Sequence, residues 1–238
     1  MIKPAQRLAW VQDGTARLQA ELDGLSDEDF NAPCMLPGWS RRHLIAHMAA
    51  NADALSRLAY WARTGEERRM YSSSQQRNAE IEVGAARPAR ELRNWVSDSA
   101  AQLTEDLERL TDEAWQVTVV NAQGQGVLAA QIPWLRAREV YVHAVDLNTG
   151  TTFADSPEGF LKDLIDDVAD RRSSLGTGPA LALTATDSGT QHSGAAWNVA
   201  GTGEAYVIAA PLPVLAGWLT GRSTAGLPAG APDLPPWL

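Results

Sequence analysis

Residues 40–65 read SRRHLIAHMAANADALSRLAYWARTG, and their apolar spacing predicts one long amphipathic helix. Leu44, Met48, Asn51, Leu55, Leu58 and Ala62 recur at intervals of three and four, one stripe on a helix of about 3.6 residues per turn. Ser40 is a good N-cap, and Gly65 stands where a left-handed C-cap is expected. A helix this long with a single apolar stripe has to bury it against other helices. The flanking segments therefore decide the fold.

Working outward, Leu8, Val11, Thr15, Leu18, Leu22 and Leu25 mark a helix before it, and Ser26–Asp29 reads as a capping box opening a short helical piece. Residues 66–87 are polar and mixed, with a short helix expected over Gln75–Val83. Pro88 opens another helix with Leu92, Val96, Ser99, Leu103, Leu107 and Leu110 on one face. Val117–Val120 and Val127–Ala130, joined by Asn-Ala-Gln-Gly-Gln-Gly, suit a β-hairpin. Pro133 fits the first turn of a last helix, which Asn148 and Gly150 stop. Four substantial helices with one longer excursion describe a four-helix bundle over residues 1–150.

Composition shifts after Gly150. Thr151–Pro157 reads as a linker, followed by a helix over Glu158–Ser173 and short strands at Leu181–Ala185, Trp197–Ala200 and Tyr206–Ala210. A helix then runs from Pro213 to Gly221, and the proline-rich tail from Leu227 is expected to be extended. Residues 151–238 thus form a small α+β domain, and the fold class is α plus α+β.

Composition narrows the function classes. The 238 residues carry a formal charge of −9; residues 1–150 hold 16 basic and 20 acidic side chains, so no basic stripe favours nucleic acid or an anionic membrane. No apolar run approaches the ~18 residues of a membrane span. The N-terminus lacks the pattern of a secretory signal, and the one cysteine, Cys34, fits a reducing cytoplasm. It also means that any metal site has to be built from histidine and carboxylate.

Glu139 and His143, within WLRAREVYVHAVDL, are four apart on a predicted helix, and their side chains share a face roughly 6 Å apart. A histidine from a neighbouring helix would complete a His2Glu set with one coordination position open, an arrangement used by catalytic zinc. His43 and His47 offer a rival i,i+4 pair; His47 is preferred because it lies beside the Leu44/Asn51/Leu55 stripe, whereas His43 reads as a cap, an outer group or an exposed residue. By itself an E-x-x-x-H pair is usually a surface pair. Asp146 could orient the His143 ring, although a helix-surface position is the plainer reading. Trp39 and Trp134 are candidates for a pocket wall, Cys34 reads as structural, and His192 falls in a polar loop. No G-x-S-x-G, P-loop or G-x-G-x-x-G pattern occurs.

LPGWSRRHLIAHMAANADAL (residues 36–55) and REVYVHAVDL (residues 138–147), in this order and separation, resemble the mycothiol-dependent maleylpyruvate isomerase family. WARTGEERRMY, RNAEIE and the PPWL tail extend the resemblance along the chain. It implies a DinB-type four-helix bundle followed by a domain resembling a sterol-carrier fold. It further implies metal ligands at His47, Glu139 and His143, with zinc the expected ion, and a cleft arginine at Arg222 in LTGRSTAG. Without the resemblance, Arg222 would read as an exposed base after a helix end. The implied reaction is the cis–trans isomerisation of maleylpyruvate to fumarylpyruvate in the gentisate route, with mycothiol adding to the conjugated double bond and leaving after rotation. A mycothiol S-transferase of the same superfamily would share the metal site, and a non-catalytic metal-binding protein is a third reading. In each case the expected partners are small molecules, neither nucleic acid nor membrane.

Overall fold

The computed structural model describes residues 4–187 and 195–237. His192 lies outside them. By internal contacts the chain divides into two units, Met1–Thr149 and Gly150–Leu238.

The first unit is built on helices α1 (Pro4–Gly24), α2 (Arg41–Thr64), α3 (Ser74–Ala85), α4 (Ala89–Glu108) and α5 (Ile132–Asp146). α2 packs on α4 and α5, and α1 packs on α5 and α4, which closes a ring of four helices with α3 laid against α2. All six residues of the α2 stripe are buried, as are Leu92, Val96, Ser99, Leu103 and Leu107 of α4. At α1 the stripe sits slightly differently: Trp10, Val11, Leu18 and Leu22 are buried, whereas Leu8, Thr15 and Leu25 are only partly so. Gly14 explains the offset, since a Cβ there would lie 2.5 Å from Val140 Cγ2. The glycine lets α1 approach α5 closely enough to bury Trp10 at the seam.

The ends of α2 and α5 are tied together. Arg41, in the first turn of α2, donates from Nε to Leu147 O (2.8 Å) and from Nη2 to Asn148 O (2.7 Å), capping carbonyls left over at the end of α5. Met35 N donates to Asp146 O (2.8 Å) from the preceding loop. The hairpin β1 (Thr118–Val120) and β2 (Gly126–Leu128) pairs Val119 with Val127. β2 stops at Leu128, before the expected Ala130, because Ala129 turns inward, fully buried, into a short 3-10 turn leading to α5.

The second unit contains α6 (Glu158–Leu175), β3 (Pro179–Ala185), β4 (Ala196–Val199), β5 (Thr202–Ala210) and α7 (Leu212–Leu219). β3 is central, antiparallel to β4 and parallel to β5. Leu181, Leu183, Trp197, Val199 and Ile208 share the buried face, and α6 packs on β4 and α7. β5 starts at Thr202 rather than Tyr206. Its first six residues are exposed and carry no apolar alternation from which sequence could place the start.

Candidate metal centre

Two turns into α2, His47 faces the last two turns of α5, where Glu139 and His143 stand one above the other. His47 Nε2 lies 3.0 Å from Glu139 Oε2, and His143 Nε2 lies 3.2 Å from the same oxygen. One ligand atom from each residue falls within 4.8 Å of the others. Ligands held about 2.1 Å from a tetrahedral zinc are separated by roughly 3.4 Å, so this donor set fits a single ion with little rearrangement. Three donors leave a fourth position open.

Burial works against charge on Glu139, but hydrogen bonds from His143 and His47 outweigh it and hold the carboxyl well below the usual carboxylate range. Burial pushes His47 down, toward the neutral form that ligates metals. For His143 burial acts in the same direction, yet hydrogen bonds to Asp146 and Glu139 prevail and raise it.

Asp146 is fully buried, which corrects the helix-surface reading, and its Oδ2 lies 2.8 Å from His143 Nδ1. That contact fixes the imidazole with Nε2 toward Glu139, as an orienting carboxylate does behind a ligating histidine. His43 has another task. Its Nδ1 accepts from Ser40 N (3.2 Å) in the α2 capping box, and its Nε2 lies 3.5 Å from Glu82. Trp39 makes an edge contact with His47 at 5.7 Å between ring centroids. Trp134 is buried against Trp10 at 6.4 Å between ring centroids, and neither Trp39 nor Trp134 is among the residues that wall the cavity beside the triad, which corrects the pocket-wall reading of both. Cys34 is half-buried; burial raises its thiol, and its Sγ contacts Trp39 O at 3.5 Å. Arg222 follows α7 in the second unit, where Nη1 donates to Thr220 O (2.6 Å) and the guanidinium lies 5.7 Å from the Trp237 ring centroid.

Sequence reasoning missed three residues here. Arg77 on α3 donates from Nη2 to His47 Nδ1 at 3.2 Å. That contact suits the tautomer with its proton on Nε2; coordination through Nε2 would move the proton to Nδ1, so Arg77 is the neighbour a metal would displace. Arg136, one turn before Glu139, is fully buried and donates from Nη1 to Met48 O (2.7 Å) and Asn51 Oδ1 (3.1 Å). Burial lowers it to about 10, so it stays cationic at neutral pH. Tyr71 lines the cavity with its phenol pushed up to about 12, chiefly by burial. The available signal was an arginine on an otherwise apolar face of α5. Nothing in the 66–87 segment marked Arg77 or Tyr71 as inward-facing.

Beyond the triad a cavity of about 80 Å³ is walled by His47, Asn51, Tyr71, Arg77, Arg138 and Glu139, among others. It joins the cations Arg77 and Arg138 to two of the metal-type donors, His47 and Glu139.

A family model described as the mycothiol maleylpyruvate isomerase N-terminal domain matches residues 11–148. The crystal structure of a mycothiol-dependent maleylpyruvate isomerase is 34% identical, with 99% of this chain and 98% of that chain covered and a TM-score of 0.92. A histidine-to-alanine mutant of that enzyme gives the same values. No curated protein sequence matches the chain.

Proposed function

Because the chain belongs to the mycothiol maleylpyruvate isomerase family, we propose that it catalyses the metal- and mycothiol-dependent cis–trans isomerisation of maleylpyruvate to fumarylpyruvate. The observation that carries the reading is the His47–Glu139–His143 cluster, with its donor atoms at metal-site separations beside a cationic cavity. A divalent metal held there would supply a Lewis acid that lowers the pKa of a thiol, and a thiolate is a nucleophile that can add to a conjugated alkene and later leave.

The chain's own groups do the rest. His47, Glu139 and His143 would hold the ion, with Asp146 keeping the His143 ring in its ligating orientation. Arg77 and Arg138 line the cavity and suit the substrate's two carboxylates. Arg222 is carried as a further carboxylate-recognising residue on the family resemblance alone. We assign zinc to the site because two imidazoles and one carboxylate are a zinc donor set. A cytoplasmic enzyme of aromatic-acid breakdown by the gentisate route fits the lone free cysteine, and no described helix is long and apolar enough to cross a membrane.

Turnover per thiol tests the proposal. Substoichiometric mycothiol should support many conversions of maleylpyruvate, stopping when the metal is chelated. A yield that stalls at one product per thiol, with a stable thioether in the mass spectrum, would replace the isomerase with an S-transferase.

A further inference from the structure

Residues 227–237 belong to no helix or strand, yet Trp237 is buried, at 4% exposure. Pro228, Pro232, Pro235 and Pro236 explain why the segment stays irregular, since proline fixes its own φ and has no N–H to give to a strand ladder. Its carbonyls hold it instead. Arg171 and Arg172, neighbours on α6, donate from Nε to Trp237 O (3.1 Å) and from Nη1 to Pro235 O (3.1 Å). The tryptophan is thereby pinned by its own backbone, independently of what its ring touches.

Arg222 meets that ring. Its guanidinium carbon lies 5.7 Å from the ring centroid, within the range of a cation–π contact. The arginine is fixed at two other points. Arg222 N donates to Gly217 O (2.8 Å) and Gly221 N to Trp218 O (2.9 Å), with Gly221 left-handed at φ 76°, the pattern of a Schellman cap on α7. Further out, Nη1 donates to Thr220 O (2.6 Å). A solvated arginine after a helix end keeps its rotamer freedom and has to surrender it on meeting a ligand. Here the cap, the carbonyl and the ring restrict it beforehand. A guanidinium takes a carboxylate bidentately only when its plane is set. One hydrogen bond lets that plane swing, and an aromatic neighbour limits the swing.

We infer that Trp237 is a positioning residue for Arg222: its ring, pinned through the proline-rich segment by Arg171 and Arg172, holds the guanidinium in the orientation that receives a substrate carboxylate. The inference rests on the proposed function for what Arg222 binds, whereas the contact between the two side chains does not. It gives the segment after α7 a task in acid recognition, with α6 as its anchor. The plainer role of a buried tryptophan is core packing, which makes no demand on Arg222 and so separates from positioning by experiment.

Two measurements on the full chain test it. Trp237→Met keeps an apolar side chain and removes the aromatic face, and Trp237→Phe keeps a face. With arginine labelled by heavy nitrogen, the Arg222 Nε–H resonance, identified by its loss in Arg222→Ala, should lie upfield in the parent. It should move in Trp237→Met and return toward the parent position in Trp237→Phe. In the metal-loaded protein Trp237→Met should raise the KM for maleylpyruvate about tenfold, leave metal content and the KM for mycothiol within about twofold, and be largely rescued by Trp237→Phe. The double variant Trp237→Met/Arg222→Ala should match Arg222→Ala within about twofold, because nothing is left to position. An unchanged KM in Trp237→Met, or a rise by the same factor with and without Arg222, would overturn the inference and leave Trp237 a core residue. A protein that never turns over maleylpyruvate would refute the proposed function, and the resonance would then decide alone. Moved by methionine and restored by phenylalanine, it upholds the positioning; unmoved, it overturns it.

Discussion

Arg172 in the second unit and Arg136 in the first are both buried, at 7% and 0% exposure, and they use their donors in opposite ways. Arg172 reaches from α6 to Leu219 O with Nε (3.3 Å) and Nη2 (2.7 Å), and to Pro235 O with Nη1 (3.1 Å). All three nitrogens bond carbonyls at the end of α7 and in the tail, so the residue works as a clasp. Arg136 commits only Nη1, to Met48 O and Asn51 Oδ1; its Nε and Nη2 have no hydrogen-bond partner among the described residues. A buried cation with more than half of its N–H donors unused is a poor choice for stability. Its position accounts for its presence: it grips the residue after His47 from one turn below Glu139, and its charge favours the ionised carboxylate. One arginine holds a fold together, whereas the other sets the spacing of a site.

Substitution by methionine, which keeps much of the volume, separates the two roles. Arg172→Met should lower the unfolding free energy by about 2–4 kcal/mol, since it strands buried carbonyls, and should leave metal affinity within about twofold. Chemical denaturation with a parallel chelator competition reads both quantities. A variant as stable as the parent would show that the clasp is ornamental.

Arg136→Met should behave conversely. The Met48 carbonyl still has its helical partner, and loss of the unused donors on Nε and Nη2 offsets the lost bond to Asn51 Oδ1, so stability should change by only about 1 kcal/mol. Metal affinity should fall roughly 10–100-fold as the α2–α5 spacing relaxes. Equal affinity in parent and variant would contradict the spacing role, and a large loss of stability would make Arg136 a second clasp.

A smaller change is expected from Asp146→Asn, which keeps a hydrogen-bonding partner for His143 but removes the charge. Metal affinity should drop about tenfold, the lower end of what outer partners of ligating histidines contribute. The same chelator competition measures it, and an unaltered affinity would mean that helix geometry alone orients the ring.

These contrasts also show where the sequence was readable. The α2 and α4 stripes were legible because a 3.6-residue period leaves a pattern whenever one face is buried, and Ser40 and Gly65 marked the ends of α2. The i,i+4 spacing of Glu139 and His143 placed both on one face without any tertiary knowledge. Arg77 and Tyr71 were not legible, because they depend on how the 65–73 loop and α3 fold back against the bundle, and no local period encodes that. Asp146 was misjudged for a related reason. An acidic residue in the last turn of a helix normally faces water, whereas here the loop before α2 bonds the Asp146 carbonyl through Met35 N and the side chain is buried.

The central claim is that His47, Glu139 and His143 together hold one metal ion. Its most direct test is the metal content of the full chain, purified without added metal and again after reconstitution with zinc, measured beside His47→Ala. The account predicts about one equivalent in the parent and less than roughly a tenth in the variant, with the helical circular dichroism of both alike. A parent that holds less than a tenth of an equivalent even after reconstitution, or a variant that holds as much as the parent, would contradict it.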